Sequence, residues 1–147
     1  MIHQDIRQAT LTNLATLLPT YNEITNVFDI EENTDRELIK GYVVRWGEGS
    51  PASSHCRTVG FNHTLSIILT NAVNVRESDN NAPLADTLYN DIETIVTNFL
   101  NDQLLGIPDK IRGLKAPYVS APKLIKGNTI VSIEITFPID FVLNINY

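Results

Sequence analysis

The chain has 147 residues, 43% of them apolar, and a net charge of −6, which suits one domain with a real core and excludes a disordered chain. No apolar run approaches the roughly 20 residues that a transmembrane helix needs, and the opening MIHQDIRQAT has neither the basic start nor the apolar stretch of a secretory signal. The single cysteine, Cys56, cannot form a disulfide within the chain and suits a reducing compartment.

Residues 5–18 are expected to form a helix. Leu11, Leu14, Ala15 and Leu18 repeat at helical spacing with Ile6 nearly in line, and Pro19 stops the run. Residues 22–37 are polar and acidic, interrupted by Val27, Phe28 and Ile30, which can anchor the segment or add a short strand. Residues 38–46 read as a strand rich in Tyr42, Val43, Val44 and Trp46. The run GEGSPASS over residues 47–54 has loop composition and is expected to be a long connection between two strands.

From Val59 to Val75, apolar residues fall on the odd positions (Val59, Phe61, Leu65, Ile67, Leu69, Val73, Val75), with His63 among them. Alternation of this kind marks a very long strand, with Gly60 or Asn71 as the place for a bulge. A turn at 77–82 leads to Pro83, which suits the first position of a helix. Leu84, Leu88, Ile92, Ile95, Val96, Phe99 and Leu100 then make a broad apolar stripe, and Gly106 and Pro108 end it. This helix, roughly 30 Å long at 1.5 Å per residue, is expected to lie across one face of a sheet. Residues 111–126 read as a loop with a short extended piece near Tyr118 and Val119.

The closing segment, 129–147, alternates again: Val131, Ile133, Ile135, Phe137, Ile139, Phe141, Leu143, Ile145 and Tyr147 share one parity. Straight, it would reach roughly 60 Å, well beyond a domain whose radius of gyration is about 15 Å. It is therefore expected either to bend at Pro138 or to pack on a neighbour. The element order predicts an α+β fold: a mostly antiparallel sheet of long strands, with one long helix and an N-terminal helix packed on it, all in a single domain.

Charge is uneven. Lys110, Arg112, Lys115, Lys123 and Lys126 face only Asp109 within 107–127, a local balance of +4, so the remainder carries −10. Such asymmetry suits either a solvated basic segment or one that meets an acidic neighbour. Nucleic-acid binding is only weakly suggested, since the chain is acidic overall and Tyr118 is the one aromatic among these cations.

No motif demands catalysis, a cofactor or a metal. Gly47-Glu48-Gly49 lacks the rest of a phosphate-binding loop, and His3, His55 and His63 are scattered. His55 and Cys56 are adjacent, so on a strand they point to opposite faces and make no base–nucleophile pair. His63, on the apolar parity, is expected to be buried or interfacial with a hydrogen-bond partner. Asp86, Asp91 and Glu93 read as a solvated helix face.

The organisation resembles that of the tail terminator proteins of long-tailed bacteriophages over most of the chain. The resemblance runs through the helix in MIHQDIRQATLTNLATLLP and the looped strand pair LIKGYVVRWGEGSPASSHCRTVGFNHTLSIILTNAV. It continues in the long helix PLADTLYNDIETIVTNFLND and the closing strand TIVSIEITFPIDFVLNINY. It implies a small α+β domain without enzyme activity or cofactor. It also implies a hexameric ring that caps the tail tube, joins it to the neck or head-completion protein and lets DNA pass, in a virion assembled in the bacterial cytoplasm. A ring needs two different surfaces on each subunit. Phe141, Leu143, Ile145 and Tyr147, with Lys110, Arg112 and Lys115, are the expected subunit interface. Gly47, Glu48, Gly49 and Ser50 are the expected tube- or neck-docking loop. Another ring-forming connector, neck or tube subunit, or a ligand- or peptide-binding module outside a virion, are the alternatives.

Overall fold

The computed structural model describes residues 2–55, 58–73, 82–101 and 111–144. Helix α1 (Ile2–Leu17) precedes a two-residue strand β1 (Asn22–Glu23), a single 3-10 turn (Ile30–Glu32) and a one-turn helix α2 (Asp35–Leu38). Strands β2 (Lys40–His55) and β3 (Thr58–Ala72) follow, then the long helix α3 (Ala82–Asn101). Three short strands, β4 (Ile111–Leu114), β5 (Tyr118–Val119) and β6 (Lys123–Ile125), lead to the long β7 (Ile130–Asn144).

All seven strands form one sheet in the order β1-β2-β3-β7-β4, with β5 and β6 also paired to β7. β1 runs parallel to β2, and every other pairing is antiparallel. The chain is thus α+β, as its element order predicts. β3 and β7 pair through fifteen successive residues without a register shift, from Thr58 opposite Asn144 to Ala72 opposite Ile130. Residues 111–126, expected to be mostly loop, instead supply β4, β5 and β6 in succession along the free edge of β7. Extended pairing satisfies backbone groups that a loop would leave to water.

One face of the sheet packs on the helices. Ile6, Leu11, Leu14 and Leu18 meet Leu88, Ile92, Ile95 and Phe99 over Leu65, Ile67, Leu69, Ile133, Ile135 and Phe137. The helical stripes and the odd parity of both long strands are therefore the core. Thr10 is buried within α1, its hydroxyl donating back to the Ile6 carbonyl at 2.8 Å. A second, smaller core sits on the opposite face, where Ile24 and Leu38 cover Val43, Ile68 and Ile130. The acidic 22–37 segment thus acts as a partial lid on the sheet's other side, anchored by Ile24, with Val27 and Ile30 packed against the same core.

The expected long connection is corrected. Residues 47–54 are not a loop: β2 continues through Gly47, Glu48, Gly49 and Ser50 to His55, paired with β3. The long partner strand outweighs the weak strand propensity of Gly, Pro and Ser. The cost is visible as register shifts between Trp46 and Gly49 and between Pro51 and Ser53. β7 keeps its pairing with β3 through Pro138. The Pro138 carbonyl accepts the Lys115 N–H at 2.9 Å, and on a strand a residue's N and O point to the same side. The missing proline N–H therefore falls where the edge chain leaves the sheet between β4 and β5. Beyond it, Ile139 and Phe141 are fully buried and belong to this domain's own core.

Asp91, expected on a solvated face, instead ties α3 to the segment before β1. The Tyr21 hydroxyl donates to its carboxylate at 2.6 Å and accepts from the buried Asn71 side-chain amide at 3.1 Å. Burial, and then the bond to Asp91, push the Tyr21 phenol well above its usual range. Tyr21→Phe leaves the Asn71 amide buried without this acceptor and should cost about 1–3 kcal/mol in urea unfolding. Because the phenol stays protonated, that cost should not change between about pH 6 and pH 9.

Candidate functional site

The sheet face away from α1 and α3 is covered only in part, and beyond the lid it forms a groove. Its floor comes from three neighbouring strands. Arg45 on β2 reaches over β3 to Glu134 on β7 (3.6 Å), and Ile68 and Ser132 lie beside them. One wall is Phe28, Asp29, Ile30 and Glu31; the other is Ser120, Ala121, Lys123 and Ile125. This part has a volume of about 440 Å³. On the other side of Phe28 and Arg45 it opens into a second hollow of about 530 Å³ that reaches Arg7, Trp46 and Ser66. Small residues at Ser66 and Ser132 leave the space.

Phe28 stands between the two hollows with 96% of its surface exposed. The reason lies in Asn33, which is 4% exposed. Its side-chain amide donates to the Asn26 and Ile30 carbonyls (3.1 and 2.9 Å), and its oxygen accepts the Asn26 N–H (3.0 Å). Asn26 in turn accepts the Asp29 N–H at 3.1 Å. These bonds close residues 26–33 on themselves and leave Phe28 at the apex. A turn at Lys126, Gly127 and Asn128, all with positive φ (51°, 63° and 66°), holds this loop from across the groove. Lys126 Nζ donates to the Asn33 carbonyl at 2.6 Å, and the Lys126 N–H reaches Glu31 Oε1 at 3.4 Å.

A second polar cluster lies where the first turn of α1 meets the sheet. His3 packs edge-on against Trp46, His63 and Phe141, with centroids 4.7, 5.1 and 5.0 Å away. His63 Nε2 is 2.7 Å from the Gly47 carbonyl, and its Nδ1 is 3.0 Å from His3 Nε2. His63 thus has the hydrogen-bond partners its parity predicts and is half-buried. Burial, then the His63 ring, hold the His3 imidazole below its usual value. Gly47 and Gly49 make room for this arrangement. A Cβ on Gly49 would lie 2.5 Å from His63 Cγ, and one on Gly47 2.5 Å from Thr64 Oγ1.

Of the expected interface residues, Phe141 is a core residue with none of its surface exposed, so it offers nothing to a neighbour. Leu143 pairs with Val59 within the sheet; Lys110, Ile145 and Tyr147 lie outside the described residues, and Arg112 is a β4 position. Lys115 is exposed and sits 3.6 Å from Asp140 of its own chain. His55 ends β2, and Cys56 lies outside the described residues. The groove itself escapes sequence reasoning because it is assembled from five separated segments. Phe28, a large apolar residue amid acidic ones, was its one readable sign.

The groove has a mixed lining and a half-exposed Arg45–Glu134 pair worth less than about 1 kcal/mol. This chemistry suits docking of a surface. Among the described residues no three His, Cys, Asp or Glu side chains converge as a metal site, and no helix is long and apolar enough to cross a membrane. Comparison with protein-family models and with curated proteins found no match. Gly49→Ala should displace the His63 ring and cost about 1–3 kcal/mol by overpacking, read as a lower denaturant midpoint together with shifted His63 imidazole resonances.

Proposed function

We propose that this chain is a structural subunit of a bacteriophage tail, a tail terminator whose copies form a hexameric ring that caps the tail tube and joins it to the neck or head-completion protein. On this reading it is not an enzyme, needs no cofactor, lets DNA pass through the ring, and resides in the virion after assembly in the bacterial cytoplasm. The observation that supports it best is Phe28, displayed almost fully exposed by a loop that spends five hydrogen bonds on holding it there. Burying such a side chain is worth about 1.5–3 kcal/mol, which a subunit contact recovers and a free monomer does not.

A head-to-tail ring needs a second, different surface. The β5–β6 edge is suited to it: Tyr118, Val119 and Leu124 are exposed there, and the segment carries Lys123. The contact is thereby moved from the C-terminal residues to the lid loop and this edge. Another connector, neck or tube ring would use the same surfaces. The groove also favours a second reading, a peptide-binding module outside a virion, since its two hollows flank a floor with both signs of charge.

Light scattering on a sizing column, with negative-stain images of the same peak, separates the readings. A ring with a central hole and six times the 16.4 kDa chain mass is expected. Phe28→Asp should shift the mass toward the monomer while leaving the thermal midpoint within a few degrees, because an exposed site changes stability by about 0.5 kcal/mol or less. A native protein that stays monomeric at high concentration and in the presence of tail tubes defeats the ring reading. A ring unaffected by Phe28→Asp defeats the assignment of this surface.

A further inference from the structure

We infer that His3 and His63 form a proton-sensitive clasp that holds the first turn of α1 on the sheet and releases it on acidification. This stands apart from the proposed function, since it concerns contacts within one chain.

The argument starts from tautomers. The Gly47 carbonyl can only accept, so His63 Nε2, 2.7 Å away, carries a hydrogen. Neutral His63 then has a bare Nδ1, and the facing His3 Nε2 at 3.0 Å must be the donor. One chain of hydrogen bonds thus runs from α1 through the His63 ring to the backbone of β2. A first proton is tolerated. It can sit on the far nitrogen of His3, or on His63 Nδ1 if His3 turns to its other tautomer. A second proton is not tolerated, because it sets two N–H groups and two positive charges against each other at 3.0 Å. Opening the clasp is the only relief.

Among the described residues the surroundings offer little compensation. There the other rings on the pair are Trp46 and Phe141, and neither can neutralise a charge. The Trp46 Nε1 is itself buried with no acceptor. Among the described residues, the charged groups on the packed elements are paired or exposed, save Asp5, which is half-buried. On α1, Arg7 donates to the Val44 carbonyl (2.8 Å) and lies 4.0 Å from Glu23, and Asp5 has an interaction of its own. On β2, Glu48 is exposed and its backbone carbonyl accepts from Thr64. On β7, Asp140 is paired with Lys115. The sign agrees with the lowered His3 value: a base depressed in the folded state contributes stability above its unfolded value, near pH 6.5, and loses it as pH falls.

The test is amide exchange of Ile6, Arg7 and Gln8, whose N–H groups bond to carbonyls of the first helical turn, in the full chain between pH 7.5 and 5, with the imidazole resonances followed in parallel. Protection factors, corrected for intrinsic exchange, should fall by about tenfold per pH unit for each proton taken up on opening. His3→Phe keeps a ring against Trp46 but cannot titrate, so its protection should be independent of pH. His63→Gln, which can still donate to Gly47 and accept from His3, removes the facing charge and leaves only the effect of His3 burial, so its protection should vary with pH less than that of the native chain, and it serves if the first variant fails to fold. The inference is overturned if either variant follows the native pH course, or if both imidazoles titrate while Ile6, Arg7 and Gln8 stay protected.

Discussion

The unbroken pairing of β3 with β7 is the constraint on which the rest of this structure depends. Side chains alternate with period two, so a slip of one residue would turn every side chain to the wrong face. The observed register sets Leu65 opposite Phe137, Ile67 opposite Ile135 and Leu69 opposite Ile133, and these pairs form the floor under α1 and α3. The same register sets Ser66 opposite Thr136 and Thr70 opposite Ser132 on the other face. Both the main core and the open groove are thus consequences of one pairing.

The two faces are finished differently. Two helices seal the first along much of its length. The second receives only the segment between β1 and β2, whose Ile24 and Leu38 close a small core and whose next residues turn away from the sheet. Asn33 closes that turn and Lys126 holds it from the opposite side. Phe28 is consequently displayed by a rigidly bonded loop. That distinction supports reading it as a surface for another chain, and it connects the groove to the proposed assembly.

At the other end of the slab the demands conflict. β2 has to run on beside β3, yet His3, Trp46, His63 and Phe141 crowd that region with rings. Gly47 and Gly49 resolve the crowding because any Cβ there would collide with β3 side chains. The bulges in β2 fall beside them. Glycines that signal a loop by composition here signal close approach. The same crowding brings two histidines sixty residues apart into hydrogen-bond contact.

The amino-acid sequence by itself determined the fold class, both packed helices, the long strands β3 and β7 and nearly all of the main core, because each rests on a local period: 3.6 for Leu88, Ile92, Ile95 and Phe99, and 2 for Leu65, Ile67, Ile133 and Ile135. Only the tertiary structure decided that residues 47–54 are strand, that β7 passes through Pro138 to bury Phe141, and that β4, β5 and β6 line one edge. Pairing with a distant strand satisfies backbone groups whatever the local composition, so propensity could not foresee it. The groove and the histidine pair were decided at the same level. Arg45 and Glu134, like His3 and His63, are brought together by sheet order and helix packing, and no spacing along the chain records such a meeting.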